Sequence, residues 1–292
     1  RRDPTLLARI GDLFDVPRRY TVVEEMLEDA ALDGVVIASP AGLHGQHVRA
    51  ALARGLHVFV EKPFVLDPTE GEALVAQAER TGRVLAVGLD RRGNGDYQYA
   101  REVIQHGTLG EVRHVAWSLA VGLMPILRGE PGDRAIPRMP GTHSQPELAG
   151  GGILINVGTH ALDAALWLTG TSPTWVMATL GFDGLPVETR AAVVARLAGD
   201  VILDCTCEAN APGDWSWEER GVIYGTDGAI SLTWPPRPDG NVVHRRRDGS
   251  VVAGPRPPSV NPMGNFVAAV RGETRPLATG ADALATVRLM SA

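Results

Sequence analysis

The chain has 292 residues, 44% hydrophobic and 21% charged, the composition of an ordinary globular protein with room for two domains. A formal net charge of −6 excludes the basic footprint of a nucleic-acid binder or of a protein drawn to an anionic membrane surface. No apolar run approaches the ~18 residues of a membrane span and no signal peptide opens the sequence, so a cytoplasmic location is expected.

In chain order, helical patterns from about Thr5 to Phe14 and from Val22 to Glu28 precede Asp33-Gly34-Val35-Val36-Ile37-Ala38. This short β-branched run predicts a buried parallel strand, ended by Ser39-Pro40. A helix from His44 to Arg54 closes at Gly55, and a second buried strand, His57 to Val60, delivers Glu61-Lys62-Pro63 at its carboxyl end. A helix from Pro68 to Thr81 is stopped by Gly82, and a third strand runs from Val84 to Gly88. Strands and helices alternating at these lengths predict βαβ units and an α/β, doubly wound parallel sheet. In such sheets ligands bind beyond the carboxyl ends of the strands, where Ser39 and Lys62 fall. The Lys62-Pro63 bond is open to either isomer.

After Asp90-Arg91-Arg92 the texture changes, which divides the chain into a nucleotide-binding unit over 1–93 and a substrate-binding unit over 94–292. A helix (Tyr97 to Gln105) and a strand (Glu111 to Val121) lead to an irregular stretch, Gly122 to Leu148, of the kind that forms lids or interface arms. Three glycines then open a helical segment ending at Gly170. At 100° per residue Asn156, His160, Asp163 and Trp167 share one face, while Leu154, Val157, Ala161, Ala165 and Leu168 fill the other. The alternating segments Thr174–Leu180, Thr189–Leu197, Val201–Glu208, Glu218–Gly225 and Ala229–Trp234 predict an antiparallel meander with one free face suited to self-association. Cys205 and Cys207 face one side of their strand as apolar fillers, with no further thiol to complete a metal site; no metal is expected. Arg245-Arg246-Arg247 before Asp248-Gly249 reads as a solvated hairpin edge, and helices from Met263 to Arg271 and from Asp282 onward close the chain.

The polar residues suit one chemistry. Oxidising a secondary alcohol needs a group titrating near neutrality to take the hydroxyl proton, and His160 is the candidate. A cation beside the same oxygen stabilises alkoxide character, which a strand-end Lys62 can supply. Asp163 reads either as the group that fixes the His160 tautomer or as an interdomain hydrogen-bonder. Glu61 steadies its turn or meets a cofactor; Arg91 or Arg92 reaches substrate or cofactor, or forms a surface pair. His44 and His47, i and i+3 on a helix, are closer to incidental than to metal-binding, and His143 lies where the long stretch can reach a cleft.

The order of motifs resembles the glucose-fructose oxidoreductase and inositol dehydrogenase (Gfo/Idh/MocA) family. The likeness is carried by Ser39-Pro40 with His44, Glu61-Lys62-Pro63, Gly107-Thr108-Leu109-Gly110-Glu111-Val112, Gly150-Gly151-Gly152 through His160 to Asp163, and Gly225-Thr226-Asp227-Gly228. It implies a Rossmann-type domain, its first βαβ unit incomplete here, plus an α+β domain with an open-faced, mostly antiparallel sheet that carries substrate residues and forms a homodimer or homotetramer. It also implies an NAD- or NADP-dependent oxidoreductase acting on a sugar, polyol or cyclitol, with Lys62, Asn156 and His160 as the reacting group. Ser39, Pro40, His44, Glu61, Lys62, Pro63 and Arg91 become the cofactor contacts, His44 near the nicotinamide end. Asp is common in the family at the position of Asn156, and an amide cannot take up a proton there, although it still orients a hydroxyl.

The glycine-rich loop G-x-G-x-x-G is not in the sequence. A strand, loop, helix and strand of roughly 30 to 35 residues is expected ahead of Arg1, and both ends are expected to fall short of complete domains. Arg1 and Arg2 are positioned to meet a 2′-phosphate, which would favour NADP. Two further readings use the same scaffold: glycoside cleavage through transient oxidation, and ligand sensing without turnover.

Overall fold

Apolar runs bounded by glycine and proline build two sheets among the described residues of the computed structural model, which are 3–28, 31–130, 141–213, 216–235, 241–252 and 254–292. The Arg1-Arg2 pair and the 131–140 part of the long stretch lie outside them.

The first part of the chain forms α1 (Pro4–Leu13), α2 (Val23–Leu27), β1 (Gly34–Ile37), α3 (His44–Ala53), β2 (His57–Val60), α4 (Pro68–Thr81) and β3 (Leu85–Val87). The three strands are parallel in the order β1-β2-β3. Helix α4 shows how local sequence sets these elements: the Asp67 side chain accepts from Thr69 N–H, Pro68 opens the helix, and Gly82 ends it at a φ of 62° that a side chain would disfavour.

A 3₁₀ turn, Asp90–Gly93, connects this unit to α5 (Gly95–Gln105), β4 (Val112–Val121), α6 (Met124–Leu127) and α7 (Pro146–Ala149). A π turn, Leu154–Gly158, runs into α8 (Thr159–Thr169), followed by β5 (Pro173–Gly181), β6 (Arg190–Leu197), β7 (Val201–Glu208), β8 (Trp217–Gly225), β9 (Gly228–Trp234), β10 (Val242–Arg246), β11 (Val251–Val252), α9 (Pro262–Val270) and α10 (Gly280–Ser291). The second sheet has the order β11-β10-β9-β8-β4-β7-β6-β5. It is antiparallel except where β4 runs parallel to β7. The expected meander is therefore two runs, β5–β7 and β8–β11, with β4 inserted between them. The triple arginine run does lie at a hairpin, β10–β11.

Helices α5 and α8 cover one face of the large sheet. Trp117, Val115, Leu119, Leu203, Cys205 and Cys207 of the sheet pack there with Tyr97, Ala161, Ala165 and Leu168 of the helices. Burial of each large aliphatic side chain contributes roughly 1.5–3 kcal/mol. The apolar stripe read from α8 is thus core. Both cysteines are buried and free.

The end of the chain packs across the expected division at residue 93. Ala278, Ala283, Leu284 and Val287, of α10 and the segment before it, pack with Val58, Val60, Leu85 and Val87 of the parallel sheet and Leu74 of α4. Phe266 of α9 covers Phe59 and Ala86 on its other face. The first sheet presents apolar side chains on both faces: α3, α4 and α10 cover one, and Phe266 of α9 covers the other. Among the described residues no helix is long and apolar enough to cross a membrane.

Candidate active site

The site forms where three strand ends meet the start of α8. Glu61 N–H donates to Ile37 O at 2.9 Å and Gly88 N–H to Val60 O at 2.8 Å, so the ladder continues past each strand and holds the turns carrying Glu61-Lys62-Pro63 and Asp90. The Lys62-Pro63 peptide is cis.

His44 is 1% exposed and wedged between two of these turns: Nδ1 lies 2.8 Å from Pro63 O and Nε2 2.8 Å from Ser39 O. Burial pushes the ring below its ordinary range, against the pull of both carbonyls and Glu61. Ser39 Oγ pairs with His47 Nδ1 at 2.9 Å. His44, expected at the nicotinamide end, clasps two strand-end loops, each of its ring nitrogens facing a backbone oxygen.

The start of α8 is shaped from β6. The Glu188 carboxylate, just ahead of that strand, accepts from the N–H groups of Gly152 at 2.7 Å and Leu154 at 3.1 Å, as a cap does. A Cβ on Gly152 would lie 1.8 Å from Glu188 O, so only glycine allows this approach. In the π turn Thr159 N–H bonds Leu154 O, five residues back, a widening that recurs at functional sites.

Lys62 Nζ donates to the backbone oxygen of Asn156 on that turn. Burial lowers the ammonium's pKa, with Glu61 and Asp90 opposing. The Asn156 side chain donates from Nδ2 to His143 Nδ1 at 2.9 Å, which brings the long stretch to the site. One turn further along, His160 Nδ1 is 3.1 Å from Asp90 Oδ1 and the ring stands edge-on to Trp217 at 6.2 Å. Burial lowers the His160 pKa; Asp90 raises it, while Lys62 and Arg91 push it down. Burial also acts to raise the pKa of Asp90, but His160, Arg91 and Lys62 hold that carboxyl well below the usual carboxylate range.

Two expected site residues are held by partners of their own. Asp163, 1% exposed, accepts from Arg92 Nε at 3.0 Å and Nη2 at 2.7 Å and from Thr286 Oγ1 at 3.3 Å, and does not meet His160. A buried carboxylate is better matched by a two-pronged cation than by an imidazole one turn away. Arg91, expected among the cofactor contacts, donates from Nη2 to Glu219 Oε2 at 2.9 Å with its guanidinium 4.0 Å from the Trp234 ring and 5.6 Å from Trp217. A flat, weakly hydrated cation is stable between a carboxylate and aromatic faces. The polar stripe of α8 thus serves two ends: Asn156 and His160 face the site, whereas Asp163 and Trp167 bind Arg92 and Arg101 of the opposing elements.

Asp90 and Glu219 are not among the expected site residues, although each leaves a signal in the sequence. Asp90 follows a parallel strand at its carboxyl end. Glu219 falls on the same face of β8 as Gly221 and Ile223, a charge in an apolar row, and there it accepts from Arg91, Tyr97, Trp117 and Trp217.

The chemistry at the strand ends fits the nicotinamide end of a dinucleotide. Ser39-Pro40 follows β1 and Glu61-Lys62 follows β2, and a Cβ at Gly88 would lie 3.0 Å from Glu61 Oε2, so Glu61 packs against the chain leaving β3. No glycine-rich loop in the sequence supplies pyrophosphate contacts.

Residues 2–89 match a family described as "Oxidoreductase family, NAD-binding Rossmann fold", and residues 97–231 match "GFO/IDH/MocA C-terminal domain". The chain is similar to the rhizopine catabolism protein MocA of Rhizobium meliloti, 27% identical over 99% of this chain and 84% of that protein. It is also similar to D-glucoside 3-dehydrogenase of Escherichia coli (strain K12), 35% identical over 50% of this chain and 38% of that enzyme. Among solved structures, the WlbA dehydrogenase from Bordetella pertussis in complex with NADH and UDP-GlcNAcA superposes with a TM-score of 0.80, at 21% identity over 100% of this chain and 84% of that one. The aligned stretch spans 35%, 38% and 60% of the length of three further curated relatives.

Proposed function

The chain belongs to the Gfo/Idh/MocA oxidoreductase family, and we propose that it transfers hydride between NAD or NADP and a hydroxyl or carbonyl carbon of a sugar, polyol or cyclitol. One observation carries the reading: Lys62, from a strand end of the parallel sheet, bonds the backbone of Asn156 one helical turn before His160, which supports a cation and an imidazole from separate layers acting at one place.

A bound nicotinamide accepts or gives the hydride. His160 takes the hydroxyl proton during oxidation and returns it during reduction. Its burial lowers the ring's pKa and so favours the neutral form that a base needs at the start of oxidation. Lys62 donates to the same oxygen and stabilises its developing negative charge. Asn156, tethered to His143, orients a neighbouring hydroxyl. The test is a panel of sugars, polyols and cyclitols with both nicotinamides. Substrate-dependent change in nicotinamide absorbance supports the reading, and its absence with every substrate and both cofactors counts against it.

The same proposal includes self-association through the face of the large sheet turned away from α5 and α8, in a cytoplasmic setting that agrees with two unbridged cysteines. Trp175, Met177, Ile202 and Tyr224 stand exposed on that face. Sedimentation of Trp175→Glu against the unaltered protein checks it: a smaller species is expected for the variant.

A further inference from the structure

We infer that Asp90 is the positioning residue of His160: its carboxylate holds Nδ1 of the imidazole toward the connecting turn and leaves Nε2 for the cleft, so the acid–base element is an Asp90–His160 dyad. The inference rests on the reading of His160 as acid and base, and names the carboxylate that orients it.

The contact comes first. His160 Nδ1 is sealed from solvent, and Asp90 Oδ1 lies 3.1 Å from it. The two atoms are within ion-pair distance without a hydrogen bond of good angle, and among the described residues Nδ1 has no other partner. A buried ring nitrogen that carries a proton needs an acceptor, and this oxygen is in place.

The two oxygens of Asp90 are divided between neighbours. Arg91 Nη1 donates to Oδ2 at 3.2 Å, which leaves Oδ1 to His160. The turn bearing Asp90 is fixed on both sides, by Arg91 on Glu219 of β8 and by Arg92 on Asp163 of α8. Asp163, three residues past His160, thus contributes to the orientation of that ring through Arg92 and the Asp90 backbone instead of by direct contact.

The charges then decide what Asp90 does for the proton. The groups acting most strongly on the ring are Asp90 and Arg91 from the connecting turn and Lys62 from the end of β2, with the uncharged Trp217 of β8 against its edge. Of these charges only Asp90 is negative. An imidazole that accepts a proton between Lys62 and Arg91 gains a third positive charge in one cleft, and the Asp90 carboxylate offsets it.

The experiment follows the His160 imidazole by nitrogen and carbon NMR in the chain as it stands, from about pH 5 to 9, with the signal assigned by its loss in His160→Gln. Asp90→Asn keeps an oxygen acceptor and removes the charge; Asp90→Ala removes both. The Asp90 side chain is 47% exposed, so neither change disturbs the core. In the unaltered chain the neutral ring is expected to carry its proton on Nδ1. Asp90→Asn should keep that tautomer and lower the titration midpoint by about one pH unit, the low end of what one opposite charge gives. Asp90→Ala should lower the midpoint and also mix the tautomers. A ring protonated on Nε2 in the unaltered chain, or one midpoint shared by all three proteins, overturns the dyad.

Kinetics separates this from the acid–base reading. In Asp90→Asn the acid limb of kcat/KM for alcohol oxidation should move to lower pH with KM for the nicotinamide unchanged; an unmoved limb counts against Asp90 alone. Turnover that survives in His160→Gln removes the acid–base reading, whatever the NMR tautomer.

Discussion

Arg92 and Asp163 meet through two parallel hydrogen bonds, Nε to Oδ2 at 3.0 Å and Nη2 to Oδ1 at 2.7 Å, with side chains 5% and 1% exposed. The pair ties the turn between the two sheets to the helix that carries His160. Burial works to lower the Arg92 pKa, but Asp163 and Asp282 hold it above its ordinary value, so the cation persists inside the protein. Neither partner can be lost alone without leaving a buried charge. Asp163→Leu is expected to cost about 3–5 kcal/mol in urea unfolding, whereas Asp163→Leu with Arg92→Met should recover most of that loss. A single variant as stable as the unaltered chain would mean that the pair does not hold the turn.

Gly152 predicts a second stability effect, this one steric. Its hydrogen stands where a Cβ would lie 1.8 Å from Glu188 O and 2.8 Å from Glu188 N, both backbone atoms that cannot swing aside. Gly152→Ala should cost about 1–3 kcal/mol by overpacking and shift the turn that presents Asn156 to Lys62. Thermal unfolding reads the first consequence. A variant with an unchanged midpoint would show that the approach of Glu188 is not needed.

Stability should also depend on pH near neutrality. His44 and His160 both have pKa values lowered in the folded chain, chiefly by burial. Below about 6.5 the unfolded chain binds protons that the folded chain resists, so stability should fall as the pH drops from about 7 toward 5 and level off above that range. Asp90 acts in the same direction but lower on the scale. Its depressed pKa contributes stability above the unfolded value of about 3.9, and this is lost as the pH falls toward the folded value. Melting midpoints at about pH 5.5 and pH 8 check the histidine window; equal midpoints would contradict it.

Much of this architecture was legible in the sequence, because its signals are local. Strand runs such as Val35 to Ile37 and Val58 to Val60 declare themselves by β-branching, and α4 by its Asp67-Pro68 start and Gly82 stop. Helical spacing alone put Asn156 and His160 on one face, although Asn156 sits in the π turn ahead of α8. What periodicity cannot give is the partner of each polar group, which is set across long separations. Asp163 lies 71 residues from Arg92, and Arg91 lies 128 from Glu219. A one-dimensional pattern offered Asp163 to its neighbour His160, whereas the fold offers it a better-matched guanidinium. The return of α9 and α10 to the first sheet was hidden for the same reason, since an amphipathic helix shows that it packs but not on what.

The central claim is that Lys62 and His160 act on one oxygen atom, and a double-substitution cycle on kcat/KM tests it most directly. Lys62→Met and His160→Gln are each expected to lower kcat/KM about a hundredfold or more. Together they should lower it little further than the worse single change, because groups that act as a unit are not additive. Losses that simply multiply, or a single variant that keeps full activity, would contradict the account.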